Sequence, residues 1–138
     1  MRRISVALCV DDENGMMFRG RRQSRDRVLI ADFMRDHEGE TVCISPYSKL
    51  LFGDFPQVTV CDSPLECCPN GGACFVEASS LAEWADVIGC ITVYRWNRLY
   101  PADLYFEADI LKKGFSLIST TEFEGSSHEK IKKEVYQK

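Results

Sequence analysis

The run Ile4-Ser5-Val6-Ala7-Leu8-Cys9-Val10 constrains the fold more than any other part of the chain. It carries no charge and is rich in β-branched side chains, so it reads as a strand buried inside a sheet, and Asp11-Asp12-Glu13-Asn14-Gly15 ends it in a turn. A strand without a polar face needs cover on both sides, which packed helices provide.

The pattern that follows supplies that cover. After a long loop, Ser24 reads as a helix N-cap with Asp26 in the first turn; Leu29/Phe33 and Ile30/Met34 repeat at helical spacing, and Gly39 stops the helix. Residues 41–45 read as a second strand, and Pro46 opens a short helix carrying Leu50, Leu51 and Phe52 before Gly53. Residues 57–61 and 73–76 make a third and a fourth strand. Ser80 with Glu83 three positions on forms a capping box, predicting a helix through Ile88, and residues 90–96 give a fifth strand. Residues 115–119 and 131–136 alternate apolar with polar side chains around Glu124-Gly125-Ser126-Ser127, the pattern of two antiparallel strands. The order predicts an α/β fold: a mainly parallel central sheet flanked by helices, with a C-terminal antiparallel strand pair. One domain spanning residues 1–138 is expected, with no internal repeat or linker.

A chain of 138 residues that is 45% hydrophobic builds one core without metal or disulfide staples. Its formal net charge of −4 argues against nucleic acid or a membrane surface as partner, because both call for a basic footprint. Any anion site must be local. The apolar runs fall far short of the roughly 18 to 20 residues that span a bilayer. Met1-Arg2-Arg3-Ile4 lacks the apolar region and cleavage site of a secretory signal. The seven cysteines are an odd number, and Cys9, Cys43, Cys74 and Cys90 fall in strand-like runs where a thiol behaves as a small hydrophobe, so a reducing, cytoplasmic setting is expected. Cys61, Cys67, Cys68 and Cys74 lack the two-residue spacing of paired zinc ligands, and no metal is expected there.

Arg19, Arg21, Arg22, Arg25 and Arg27 place five arginines in nine residues. Two readings stand: a local phosphate or carboxylate site beside a helix start, or a solvated segment balancing Asp11, Asp12, Glu13 and Asp26. His37, and His128 in the predicted hairpin loop, read as surface residues.

Taken in order, these segments resemble dihydrofolate reductase. Residues 4–11 followed by Gly15-Met16 are similar to that family's first strand and the start of its active-site loop, and Asp26 falls where the family carries its acidic active-site residue. Asp103-Leu104-Tyr105-Phe106 resembles the family's Asp-Thr-x-Phe segment, and residues 115–119 with Glu134-Val135-Tyr136 match its terminal strands. The resemblance implies a dihydrofolate-reductase-like fold with Asp26 as catalytic acid and a substrate pocket of Val10, Met16, Phe18, Arg22, Asp26 and Ile30. It implies a mobile lid over residues 12–20. Cofactor contacts fall to Gly15, Ser48, Glu77, Ala78 and Ser79, with NADPH as the family's hydride donor.

Departures from the family pattern concentrate on the ligand side. The family's Pro-Trp after the lid is Arg21-Arg22 here, and its Gly-Gly pair after a core strand is replaced by Glu77-Ala78-Ser79, which puts side chains and a negative charge where phosphate would approach. Its phosphate-gripping Gly-Arg-x-Thr is Ser45-Pro46-Tyr47-Ser48, and its arginine before the third strand is missing from Phe55-Pro56-Gln57-Val58. NADPH is therefore expected to bind weakly or not at all. The expected function is binding of a nucleotide- or pterin-like anionic small molecule without efficient NADPH-dependent folate reduction. Two alternatives stand beside it: a working NADPH-dependent oxidoreductase on a non-folate, pterin-like substrate, and a scaffold or regulatory protein using exposed aromatics such as Trp96 and Tyr100. The sequence carries no signal for oligomeric state.

Overall fold

The computed structural model describes residues 2–138. In chain order the elements are β1 (Ile4–Val10), β2 (Gly15–Phe18), β3 (Arg21–Arg22), α1 (Arg27–Asp36), β4 (Val42–Ile44), α2 (Lys49–Phe52), β5 (Val58–Val60), α3 (Pro64–Cys67), β6 (Ala73–Phe75), β7 (Ile88–Arg95), β8 (Leu104–Tyr105), β9 (Ser116–Phe123) and β10 (Ile131–Gln137). Seven strands form one sheet in the order β5-β4-β6-β1-β7-β10-β9. The first five in that order are parallel, and β10 runs antiparallel to both β7 and β9. This is the α/β architecture expected from the sequence, with the uncharged β1 at its centre.

Alternation along β1 divides the core into two layers. Ile4, Val6, Leu8 and Val10 face one layer with Met16, Met17, Leu65 and Leu81, while Ala7 faces the other with Leu29, Ile30, Phe33 and Met34 of α1. Phe33, Phe52 and Phe75 meet edge to face in that second layer, with ring centroids 5.3–6.0 Å apart. Among the described residues no helix is long and apolar enough to cross a membrane.

Three local readings need correction. The cap of α1 is Asp26 rather than Ser24: its extended backbone (φ −152°, ψ 119°) and its side chain, which accepts from Val28 and Leu29 N–H, define the helix start. The capping box at Ser80 and Glu83 opens only a single 3₁₀ turn, Ala82–Trp84. The Ser80 hydroxyl turns to the Glu107 carboxylate instead, and Ile88 is drawn into β7 beside Ile4. Residues 15–22, read as part of a long loop, are strands: β2 is the middle strand of a small sheet ordered β3-β2-β8, and Arg19 and Gly20, both at positive φ, make the two-residue hairpin turn.

Asp11, only 1% exposed, fixes this small sheet to the end of β1. One carboxylate oxygen accepts from the N–H groups of Glu13 (2.9 Å) and Gly15 (2.7 Å); the other accepts from Gln23 Nε2 (2.9 Å) and Tyr100 N–H (3.2 Å). Burial works against the charge, but these four donors outweigh it and hold the carboxyl below its usual range. Gly15 must be glycine, since an added Cβ would lie 2.6 Å from Asp11 Oδ2 and 2.7 Å from Ala102 Cβ. Asp11→Asn removes the charge and turns one acceptor into a donor facing other donors. We expect it to cost about 2–3 kcal/mol in urea unfolding, whereas Asp12→Asn on the exposed neighbour should stay within about 0.5 kcal/mol. Equal effects would show that Asp11 is not the tie.

Candidate functional site

In open α/β sheets ligands bind beyond the carboxyl ends of the strands, where connections diverge to either side of a central strand. Here that point lies at the ends of β1 and its neighbours β6 and β7. Cys9 of β1, Val76 and Glu77 after β6, and Trp96 after β7 meet Met16, Arg22, Asp26, Leu29 and Ile30 around a cavity of only about 20 Å³. That volume is close to the size of one water. A drug-sized ring system needs on the order of 300 Å³ or more.

The cavity is small because Arg22 and Glu77 meet inside it. Arg22 Nε donates to Glu77 Oε1 (2.7 Å) and Arg22 Nη2 to Glu77 Oε2 (3.0 Å), a two-pronged pair whose side chains are 18% and 9% exposed. Ser48 Oγ donates to Glu77 Oε2 at 2.6 Å. The guanidinium lies 4.2 Å from the centre of the Tyr47 ring and also donates to the Tyr47 carbonyl (3.0 Å). Glu77, with Phe75 and Val76, lies between this narrow cavity and a second one of about 390 Å³, lined by Met17, Tyr47, Pro64, Ala78, Ser79, Asp103 and Leu104 among others. A third opening of about 530 Å³ lies outside both, between Phe18, Arg19, Arg21, Gln23, Tyr100 and Pro101.

Asp26 borders the closed cavity, but its oxygens are fully engaged. Oδ1 accepts from Val28 N–H (2.9 Å) and Leu29 N–H (3.0 Å); Oδ2 accepts from Ser127 N–H (2.7 Å) and Ser127 Oγ (2.8 Å). Burial raises the cost of its charge, yet the hydrogen bonds from the loop at Ser126 and Ser127 and from the helix start overcome it and hold the carboxyl at about 2. At neutral pH Asp26 is a carboxylate with no proton to give. It clamps α1 to the loop between β9 and β10, where an added Cβ on Gly125 would collide with Asp26 Oδ2.

The clamp continues into a chain of side chains. Ser127 Oγ is 2.7 Å from His128 Nδ1, and His128 Nε2 is 2.7 Å from the Tyr100 hydroxyl. Because Ser127 spends its proton on Asp26, Nδ1 carries the imidazole proton and Nε2 accepts from Tyr100. His128 is 7% exposed and stacks on Trp96 at 4.7 Å, so neither is the surface residue expected from the sequence.

The sequence-predicted residues separate into groups. Met16, Arg22, Asp26 and Ile30 converge on the closed cavity; Val10 is sealed in the core, and Phe18 faces the outer opening. Glu77, Ala78 and Ser79 line the 390 Å³ cavity and Ser48 is held against Glu77, whereas Gly15 serves the Asp11 tie and borders none of these spaces. Asp11, Gln23, Tyr47, Tyr100 and His128 were missed. A signal for one contact was present: Arg22 and Glu77 are both departures from the family pattern, and together they are a charge-matched pair. Among the described residues no three His, Cys, Asp or Glu side chains are arranged to hold a metal ion.

This topology is that of the dihydrofolate reductase-like fold. A solved structure of dihydrofolate reductase from Enterococcus faecalis, complexed with NADP(H) and RAB-propyl, is similar over 98% of this chain and 95% of that one, with a TM-score of 0.66 at 9% identity. The sequence matches no protein-family model and no curated protein. The residues after β6 do not fit the phosphates of a dinucleotide: the Glu77 carboxylate stands there, already holding the arginine and hydroxyl that would otherwise face an anion.

Burial and the nearby Arg98 charge hold His128 below 6.5, with Asp26 pulling the other way. The unfolded chain therefore takes up a proton first as pH falls. The stability contributed by neutral His128 is complete above 6.5 and is lost as pH drops from 6.5 through the lower folded value. We expect the urea midpoint to fall between pH 7.5 and 5.5, and His128→Asn to flatten that slope. Parallel slopes for the two proteins would assign the dependence elsewhere.

Proposed function

We propose that this chain is a dihydrofolate-reductase-like protein that binds a nucleotide-like anion at its arginine-rich rim and does not reduce folate with NADPH. The observation carrying this reading is the Arg22–Glu77 pair, which fills the cleft and leaves about 20 Å³. The remaining arginines of the segment are available: among the described residues Arg19, Arg21, Arg25 and Arg27 have no carboxylate partner, and none balances Asp11, Asp12, Glu13 or Asp26. Arg19 and Arg21 border the 530 Å³ opening with Phe18 and Tyr100, so charge and aromatic surface stand together there, as an anion carrying a flat ring requires.

Calorimetric titration with ADP and with NADPH tests the reading. ADP should bind, NADPH should bind no more tightly, and Arg19→Ala/Arg21→Ala should weaken both by tenfold or more, since each charge-assisted contact is worth about 1.5–3 kcal/mol. A micromolar NADPH affinity that survives the double substitution would place the cofactor in the cleft and favour a working oxidoreductase. No ADP binding at millimolar concentration would remove the nucleotide reading.

A further inference from the structure

The two edges of the central sheet are built differently. At one end β5 is three residues long, and a short edge strand offers little to pair with. At the other end β9 runs for eight residues, Ser116-Leu117-Ile118-Ser119-Thr120-Thr121-Glu122-Phe123, with no proline, no lysine and a single charge, and all but Phe123 are exposed. Leu117 and Ile118 are 51% and 57% exposed on it. Its one irregularity falls between Leu117 and Ser119, where two steps along β9 meet one step along β10.

The register determines which backbone groups of β9 face outward. Lys138 N–H donates to the Gly89 carbonyl, so alternate residues back along β10, Tyr136, Glu134 and Lys132, turn their backbone groups to β7 in the same way. Gln137, Val135, Lys133 and Ile131, which lie between them, turn to Ser116, Ser119, Thr121 and Phe123 of β9. Leu117, Thr120 and Glu122 therefore direct their N–H and C=O groups away from the sheet. Charges beside the strand are ordered as well: Lys112 and Lys113 precede it, Glu122 and Glu124 end it, and all four are exposed. Among the described residues Lys113, Glu122 and Glu124 make no ion pair, and Lys112 reaches only the exposed Asp109, at 3.8 Å.

We propose that β9 pairs antiparallel with β9 of a second copy of this chain, forming a two-fold dimer with one sheet running through both copies. With Leu117 of each strand opposite Thr120 of the other, outward backbone groups meet outward backbone groups. The same register sets Lys113 opposite Glu124 at both ends and places Ile118 of both copies beside the axis, where exposed apolar surface is covered. A strand from any protein could supply the backbone bonds. The charge order asks for this same sequence running the other way, which a two-fold copy provides. No residue of β9 lines the cleft or the rim opening, so the contact is independent of the ligand reading.

Sedimentation equilibrium of the full chain, with amide exchange followed by NMR, tests the dimer. Wild type should approach twice the mass of one chain as its concentration rises towards millimolar. Over the same range the Leu117 and Thr120 amides, which face solvent in a single copy, should slow by about tenfold or more. Glu122→Lys/Glu124→Lys and Lys112→Glu/Lys113→Glu, all at exposed positions, should keep the fold, and each should weaken self-association by about tenfold or more because like charges then meet at both ends. Mixed in equal amounts, the two variants should form a heterodimer, each supplying the charge that the other lacks. A chain that stays monomeric at millimolar concentration, a dimer whose Leu117 and Thr120 amides exchange as freely as in the monomer, or a mixture that associates no better than either variant alone would each overturn the proposal.

Discussion

A carboxylate taken out of water must receive hydrogen bonds in exchange, and the site end of this molecule is organised by three that do. Asp11 gathers Glu13, Gly15, Gln23 and Tyr100 around the end of β1. Asp26 gathers the first turn of α1 and the loop at Ser127. Glu77 gathers Arg22 and Ser48. Each joins segments far apart in the chain, and each would be costly to leave half-satisfied. Tyr100 connects the first two, because its N–H serves Asp11 while its hydroxyl ends the chain of contacts from Asp26 through Ser127 and His128. The small sheet, the first helix and the C-terminal hairpin are thus positioned by polar contacts at their tips as well as by the apolar layers beneath.

The same requirement separates this cleft from one that receives a charged ligand. A binding site keeps some donors unspent until the ligand arrives; here the donors converging on the cleft are spent on Glu77. Arg22 is committed three ways, to both oxygens of Glu77, to the Tyr47 carbonyl and to the face of the Tyr47 ring. A phosphate would have to displace a carboxylate that is equally charged, already oriented and covalently part of the protein. Arg19 and Arg21 are in the opposite condition, which is why the anion reading moves from the cleft to the rim.

Most of the central sheet was legible in the sequence because it rests on burial pattern. The uncharged runs at β1 and β4 report their buried surroundings directly, whereas the edge strands β5 and β9 are mostly exposed and were legible from composition and the turns beside them. The strands of the small sheet were not legible: they span two to four residues, and β8 comes to β2 from a segment distant in the chain. The helix expected after Ser80 failed for a related reason. A capping box is a local preference worth about one hydrogen bond, whereas placing Ile88 beside Ile4 extends the central sheet and buries both side chains fully. His128 looked exposed because hairpin loops usually are, and its burial depends on Trp96 and Tyr100 being brought over it.

The site was legible only in fragments, since no single residue reveals a partner 55 positions away. Taken alone, Arg22 in place of an aromatic is a damaged substrate floor, and Glu77 in place of a glycine is a damaged phosphate loop. Brought together they neutralise each other, so the two losses form one internally compensated structure. Compensation of this kind leaves the fold intact, because the apolar alternation that builds the sheet does not involve either residue. A similarity at 9% identity over almost the whole of both chains is a likeness of fold, carried by layers whose geometry burial holds, while in this chain the polar groups at the cleft bond to one another. The ion pair is therefore a contact that occupies the cleft and ties the small sheet to the end of β6.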